Sequence, residues 1–149
     1  MPELIFQHSE GFVLIEEDVV DTLHQWRQFG LSSEAGGLLL GYRRTPHLHI
    51  VACTTPNRKD RRFRHSFARL DSNHSAFAKQ LWKETKGKAY YLGEWHTHPV
   101  NSPTPSGIDR REWTKLIQST HGPELVFLII GREGIFAQFG QQMLKEYKK

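Results

Sequence analysis

Cysteine is almost absent: Cys53 is the one thiol in 149 residues, so no disulfide can close within the chain. A reducing, cytoplasmic setting is expected from that. Long hydrophobic runs are absent too. The longest purely apolar stretch covers residues 125–130, far short of the ~20 residues that a bilayer-spanning helix needs. The opening residues MPELIFQHSE carry acids and polar groups where a secretory leader has its apolar segment, so no leader is expected. Neither a repeat nor a low-complexity tract nor a linker interrupts the chain, and its length suits one domain, 1–149. With 38% hydrophobic and 24% charged residues, the composition argues against a disordered polar chain and against a membrane protein.

Histidine, by contrast, is plentiful, with nine residues, and 20 Lys+Arg against 16 Asp+Glu leave a net charge of +4. The positive excess gathers in residues 58–64 and in the tail 145–149. A nucleic-acid footprint would be a basic stripe interleaved with aromatics, whereas 58–64 holds one Phe and an internal Asp. A solvated basic loop over 56–65 is the preferred reading, with acidic protein partners left open.

Periodicity predicts alternating strands and helices. Residues 12–15 read as a strand; Val19, Val20, Leu23 and Trp26 then recur on one face of an amphipathic helix. Residues 35–42 read as a glycine-rich buried strand, 43–46 as a turn and 47–55 as a second strand. Ser72 is the expected N-cap of a helix that buries Phe77, Ala78, Leu81 and Trp82 and ends near Gly87. Residues 89–95 read as a strand, Ser106 opens a helix with Trp113, Leu116 and Ile117 on one face, and 124–131 with 135–139 form a hairpin. The expected class is α+β, a mixed curved sheet flanked by about three helices.

The chemistry concentrates in HTHPVNSPTPSGID, residues 96–109. Side chains two apart on a strand share a face, so His96 and His98 present two imidazoles to one side until Pro99, which lacks a ladder N–H, ends the strand. Asp109 stands four residues before Trp113 and seven before Leu116, on the apolar face of its helix. A carboxylate aimed at a sheet is costly unless paired, and two imidazoles with a metal ion would pair it. Two histidines and one carboxylate leave a fourth corner of a zinc tetrahedron for water, the pattern of a catalytic rather than a structural zinc. Such a site needs a general base, and Glu34 and Glu94 compete for the part. Glu94 has the parity of both histidines, which favours a supporting role that orients one of them. Ser106 to Asp109 also fits a capping box with Asp in the usual Glu position, and the pair Gly36–Gly37 would let a helix pack closely on its strand.

Taken together, Glu34, His96-Thr97-His98-Pro99 and Ser106-Gly107-Ile108-Asp109 resemble the JAMM motif of the JAB1/MPN/Mov34 zinc metalloproteases. The resemblance implies the MPN/JAB fold, which is cytidine-deaminase-like, and one Zn²⁺ held by His96, His98 and Asp109 together with a water. It implies Glu34 as the general base and Ser106 as the hydrogen-bond donor to the oxyanion. It also implies hydrolysis of peptide or isopeptide bonds after the extended C-terminal tail of a ubiquitin-like protein. The block 91–99 is similar to the bacterial JAB peptidases of CBASS antiphage operons, which deconjugate a cyclic-oligonucleotide synthase that an E1–E2-like partner had joined to its targets. Other readings are a JAMM peptidase acting on a sulfur-carrier or ubiquitin-like precursor, a catalytically idle zinc-bound interaction module, and a nucleic-acid-associated JAB protein using the arginines of 58–64. The nucleic-acid reading ranks last, because it leaves the histidine–aspartate cluster without work. The same donors also accept Co²⁺, Mn²⁺ or Fe²⁺.

Overall fold

Short apolar segments assemble here into one mixed sheet, and the computed structural model describes residues 2–119 and 122–148 of the chain. The first half contributes β1 (Leu4–Gln7), β2 (Phe12–Ile15), α1 (Glu17–Gln25), β3 (Gly36–Arg44), β4 (His47–Cys53), β5 (Arg61–Phe63) and β6 (Ser66–Ala68). The second contributes α2 (Asn73–Glu84), β7 (Ala89–Thr97), α3 (Gly107–Ile117), β8 (Val126–Ile130), β9 (Ile135–Phe139), β10 (Gln142–Met143) and β11 (Lys145–Glu146). Nine strands pair in the order β10-β9-β8-β7-β3-β4-β2-β1-β11, and β5 with β6 form a separate two-stranded hairpin. The pairs β2–β4 and β7–β8 are parallel and the others antiparallel, so the sheet is mixed, as expected for this α+β class.

Strand β8 explains the uninterrupted apolar run, since it is buried on both faces. Val126, Leu128 and Ile130 join the larger core with Val20 and Leu23 of α1, Leu39 and Trp95. Phe127 and Ile129 face the other way, into a smaller core with Trp113 of α3. Trp113 stacks on Phe127 with ring centres 4.8 Å apart, which fixes α3 against that face. The pairing of β7 with β8 sets Trp95 beside Leu128, His96 beside Ile129 and Thr97 beside Ile130. Alternation therefore sends His96 to the α3 face and Thr97 to the α1 face. No helix among the described residues is long and apolar enough to cross a membrane.

Three expectations need correction. Residues 56–65 are not a plain loop, because 61–63 pair with 66–68 as the β5–β6 hairpin. Helix α2 does not bury Phe77 and Trp82, which are 47% and 51% exposed; Ala78 and Leu81 are half-buried, and His74 is the buried residue of that helix. Ser72 stands at the N-cap without a capping side-chain bond, and the Asp71 carboxylate instead accepts from the Asn73 N–H at 2.9 Å.

His74 anchors α2 through a polar chain. Its Nε2 lies 2.6 Å from Asp60 Oδ2 and its Nδ1 2.5 Å from Thr54 Oγ1, with no side-chain surface of Asp60 or His74 exposed. The Asp60 carboxylate also accepts from the N–H groups of Asn57, Leu70 and Asp71. These bonds, from three backbone amides and an imidazole, overcome the opposing effect of burial and hold Asp60 below the usual carboxylate range. Both ends of the hairpin are thus tied to the end of β4 and the start of α2.

The glycine pair at the head of β3 admits the hairpin and a strand backbone rather than a helix. A Cβ on Gly36 would stand 2.6 Å from the Phe67 ring, and one on Gly37 would overlap the carbonyl of Thr54. Gly37→Ala is accordingly expected to cost about 3 kcal/mol, or roughly 10 °C in Tm, by thermal unfolding. Gly107→Ala, at the first turn of α3 with nothing nearer than Arg111 Nη1 at 3.9 Å, is expected to stabilise by about 0.5 kcal/mol in the same measurement.

Candidate metal centre

Strand β7 carries His96, and the chain continues in register with β8 for one more residue, the His98 N–H donating to the Ile130 carbonyl at 3.1 Å. Both rings therefore face α3. The start of α3 is set by a capping box: the Asp109 N–H donates to Ser106 Oγ at 3.0 Å and the Ser106 N–H to Asp109 Oδ2 at 2.9 Å. Capping and metal-type geometry coexist, because the same carboxylate also faces the two rings. Asp109 Oδ1 is 3.1 Å from His96 Nε2, Oδ2 is 3.2 Å from His98 Nε2, and the two Nε2 atoms are 3.1 Å apart.

These three donor groups fit a divalent ion. A tetrahedral zinc with bonds of ~2.0–2.1 Å has donor–donor edges of about 3.3 Å, close to the spacings here. Two ring nitrogens facing each other at 3.1 Å share at most one proton, so a cation between them suits the geometry better than a hydrogen bond alone. Among the described residues, His96, His98 and Asp109 form the one cluster of histidine, cysteine and carboxylate groups spaced to hold a metal. Burial alone would raise the Asp109 carboxyl, but bonds to His96 and His98, and from the Ser106 amide, hold it far below the usual range.

Glu34 enters from the neighbouring strand. The Ala35 carbonyl accepts from the Thr97 N–H at 2.9 Å, and Gly36 pairs with His96, so the segment before β3 runs alongside the two histidines. Glu34, both histidines, Ser106 and Asp109 line one cavity of about 790 Å³. Glu34 is buried, and that burial, with the nearby Asp109 charge, pushes its carboxyl up to about 8. Ser106 is exposed at the cavity, and because its oxygen accepts the capping bond its O–H remains available to donate. Glu94 lines the same cavity, but it differs from expectation in its partner. Its carboxylate accepts from Arg69 at 2.6 Å rather than from either imidazole. Cys53 lies outside this lining, with its thiol pushed up to about 12 by burial, which leaves little thiolate for nucleophilic chemistry.

Two further residues hold these parts in register. Thr97, between the histidines, turns its Oγ1 to the opposite face, where it accepts from the Ala35 N–H at 2.9 Å and donates to Gln28 Oε1 at 2.7 Å. The fully buried Gln28 amide donates in turn to the carbonyls of Ser32 and Arg64. One side chain thereby joins the histidine strand, the segment leading to Glu34 and the hairpin. Strand alternation was enough to put Thr97 on the far face; nothing in the local pattern marks Gln28.

Residues 16–142 match the family model described as prokaryotic homologs of the JAB domain. A protein of Pseudomonas aeruginosa named CD-NTase/cGAS isopeptidase is 41% identical over 123 residues, covering 78% of this chain and 77% of its own. Proteins of the same name from Escherichia coli and Vibrio cholerae are 36% and 33% identical, covering 100% and 99% of this chain and 94% and 95% of their own. The solution structure of a Desulfitobacterium hafniense protein superposes with a TM-score of 0.62 at 21% identity, over 90% of this chain and 88% of that one, a likeness of fold alone.

Two outcomes are expected of the centre itself. With its carboxyl raised from 4.5 to about 8, Glu34 binds a proton more tightly in the folded chain than in the unfolded one, so its ionisation lowers stability as pH climbs through that interval. Glu34→Gln is then expected to raise the Tm of the chelator-treated protein more at pH 8 than at pH 5; equal shifts at both would contradict the burial of that charge. Thr97→Val orphans the Ala35 N–H and Gln28 Oε1 and is expected to cost about 2–3 kcal/mol in thermal unfolding, with Thr97→Ser recovering most of it.

Proposed function

The chain belongs to the prokaryotic JAB-domain family, and from that membership and the geometry of the centre we propose that it is a zinc-dependent isopeptidase, working as a single JAB domain, that cleaves after the C-terminal tail of a conjugated CD-NTase. The observation that carries the reading is the convergence of His96, His98 and Asp109 at 3.1–3.2 Å in the cavity that Glu34 and Ser106 also line. The shared name of three relatives, CD-NTase/cGAS isopeptidase, supports the substrate class and, with it, a part in antiphage defence.

In this reading His96, His98 and Asp109 hold the ion, the two rings as neutral donors and the carboxylate as the anionic one. When bound, Zn²⁺ supplies Lewis acidity that makes a water nucleophilic near neutral pH. Glu34 takes the proton from that water as it attacks the scissile carbonyl and hands it to the departing amine. A buried carboxyl lining the same cavity as the metal-type cluster is placed for both halves of that shuttle. The Ser106 O–H donates to the oxyanion as the carbonyl carbon becomes tetrahedral. Residues 66–68 of β6 also line the cavity, so an extended tail can lie along that strand and bond main chain to main chain.

Elemental analysis of the purified chain is expected to find one zinc per chain, and a chelator to abolish release of a reporter fused after a CD-NTase tail, with zinc restoring it. Glu34→Gln is expected to lose about 10²–10⁴ in kcat while keeping its zinc. Ser106→Ala is expected to lose about 10²–10³ in kcat, and about 1 kcal/mol of stability from its lost cap. Full activity in a Glu34→Gln protein, or cleavage unaffected by metal removal, would overturn the proposal.

A further inference from the structure

Between Pro56 and Arg69 the chain carries six cations, Arg58, Lys59, Arg61, Arg62, Arg64 and Arg69, and one acid, Asp60. In sequence that acid dilutes the positive run. In the fold it is withdrawn from the surface, with no side-chain area exposed and its oxygens occupied by three backbone amides and His74. The following acid, Asp71, is also buried, against the amides of Lys59 and Asn73. Two of the six cations are committed as well: Arg62 donates to the carbonyls of Ser33 and Glu34, and Arg69 pairs with Glu94. Arg58, Lys59, Arg61 and Arg64 are left exposed, and among the described residues none of them forms an ion pair.

The two-residue period of β5 and β6 sorts the hairpin into two faces. Arg62 and its cross-strand partner Phe67 turn inward, Phe67 onto Gly36 and Arg62 to the Glu34 segment. Arg61 and Phe63 turn outward opposite Ala68 and Ser66, and Phe63 is 62% exposed. The outward face thus presents Phe63 and the unpaired Arg61 beside small residues, with the exposed Arg58 and Lys59 in the turn before β5 and Arg64 in the turn after it. It is continuous with the reaction cavity, whose wall includes Arg64, His65 and Ser66 of the same hairpin.

We propose that this outward face is a second contact for the substrate, gripping an acidic surface patch on the folded body of the protein whose tail enters the cavity. The inference rests on the peptidase reading and extends it, since the tail groove and the cationic face share one hairpin. Unneutralised like charges on a rim do little for a short tail. They attract and orient a folded partner of opposite charge, chiefly through the association rate and in a salt-dependent way. A nucleic acid is the competing occupant, less favoured because four cations around a three-residue strand adjoin a peptide-sized groove rather than tracking a backbone.

The test compares the full-length chain with Arg58→Glu/Arg61→Glu, two exposed side chains outside the catalytic cavity, on a whole CD-NTase fused to a reporter and on its isolated C-terminal tail fused to the same reporter. Affinity for each is measured in parallel in a Glu34→Gln background. The double variant is expected to lose about tenfold in kcat/KM and in affinity for the whole protein at low salt, through KM and not kcat, with the gap closing at high salt. Cleavage of the tail fusion is expected to be unchanged. Equal losses on both substrates, or no loss on either, would overturn the proposal, and so would a variant that cleaves the whole protein normally while losing salt-dependent binding to duplex DNA. If wild type cleaves neither fusion yet the affinity difference for the whole protein persists, the peptidase reading falls and the docking face stands.

Discussion

A carboxylate directed at the face of a sheet has to be answered by polar partners, and in this chain Asp109 is answered from two sides. Two ring nitrogens meet its oxygens, and a backbone amide from its own helix cap meets one of them again. Much else follows from satisfying that group. Helix α3 has to start where Ser106 can cap it, Trp113 has to stack on Phe127 to keep the helix down, and β7 has to deliver both imidazoles to the same side. Replacing the metal-type cluster with apolar residues would relieve the requirement and remove the reason for this arrangement of α3.

Strand alternation divides the labour on β7. One face presents His96 and, beyond the strand, His98 to the cavity; the other sends Thr97 down to Ala35 and Gln28. The residue between the two histidines is therefore as consequential as its neighbours, because it ties the histidine strand to the segment that carries Glu34. Gln28 extends the tie to the hairpin through the Arg64 carbonyl. The proposed base, the proposed metal donors and the groove wall are thereby tied into one hydrogen-bonded frame, the kind of preorganisation a hydrolytic centre needs.

Much of this was legible in the residues. Short apolar segments bounded by turn residues located β3, β7 and the β8–β9 hairpin, and the resemblance of Glu34, His96, His98, Ser106 and Asp109 to the JAMM motif picked out side chains that line one cavity. Where the reading departed from the fold, polar interactions had replaced apolar ones. Helix α2 is anchored by His74 rather than by Phe77 and Trp82, and a hydrophobicity pattern does not register a buried imidazole bridging an aspartate and a threonine. The β5–β6 hairpin has strands of three residues, mostly charged, too short for alternation to stand out. The parity of Glu94 fixed its face but not its partner, because Arg69 lies 25 positions away and only the closed fold brings the two together.

The hairpin has one further consequence, and it concerns how such a chain can diversify. Positions 62 and 67 turn in toward Glu34 and Gly36, residues 66–68 line the cavity, and positions 61 and 63 look outward, with the base of the hairpin locked by Asp60, His74 and Thr54. Selection can therefore rewrite the outward positions without disturbing the reacting groups. Descendants of one ancestor can in this way keep a single hydrolytic apparatus while drifting apart in the company they keep.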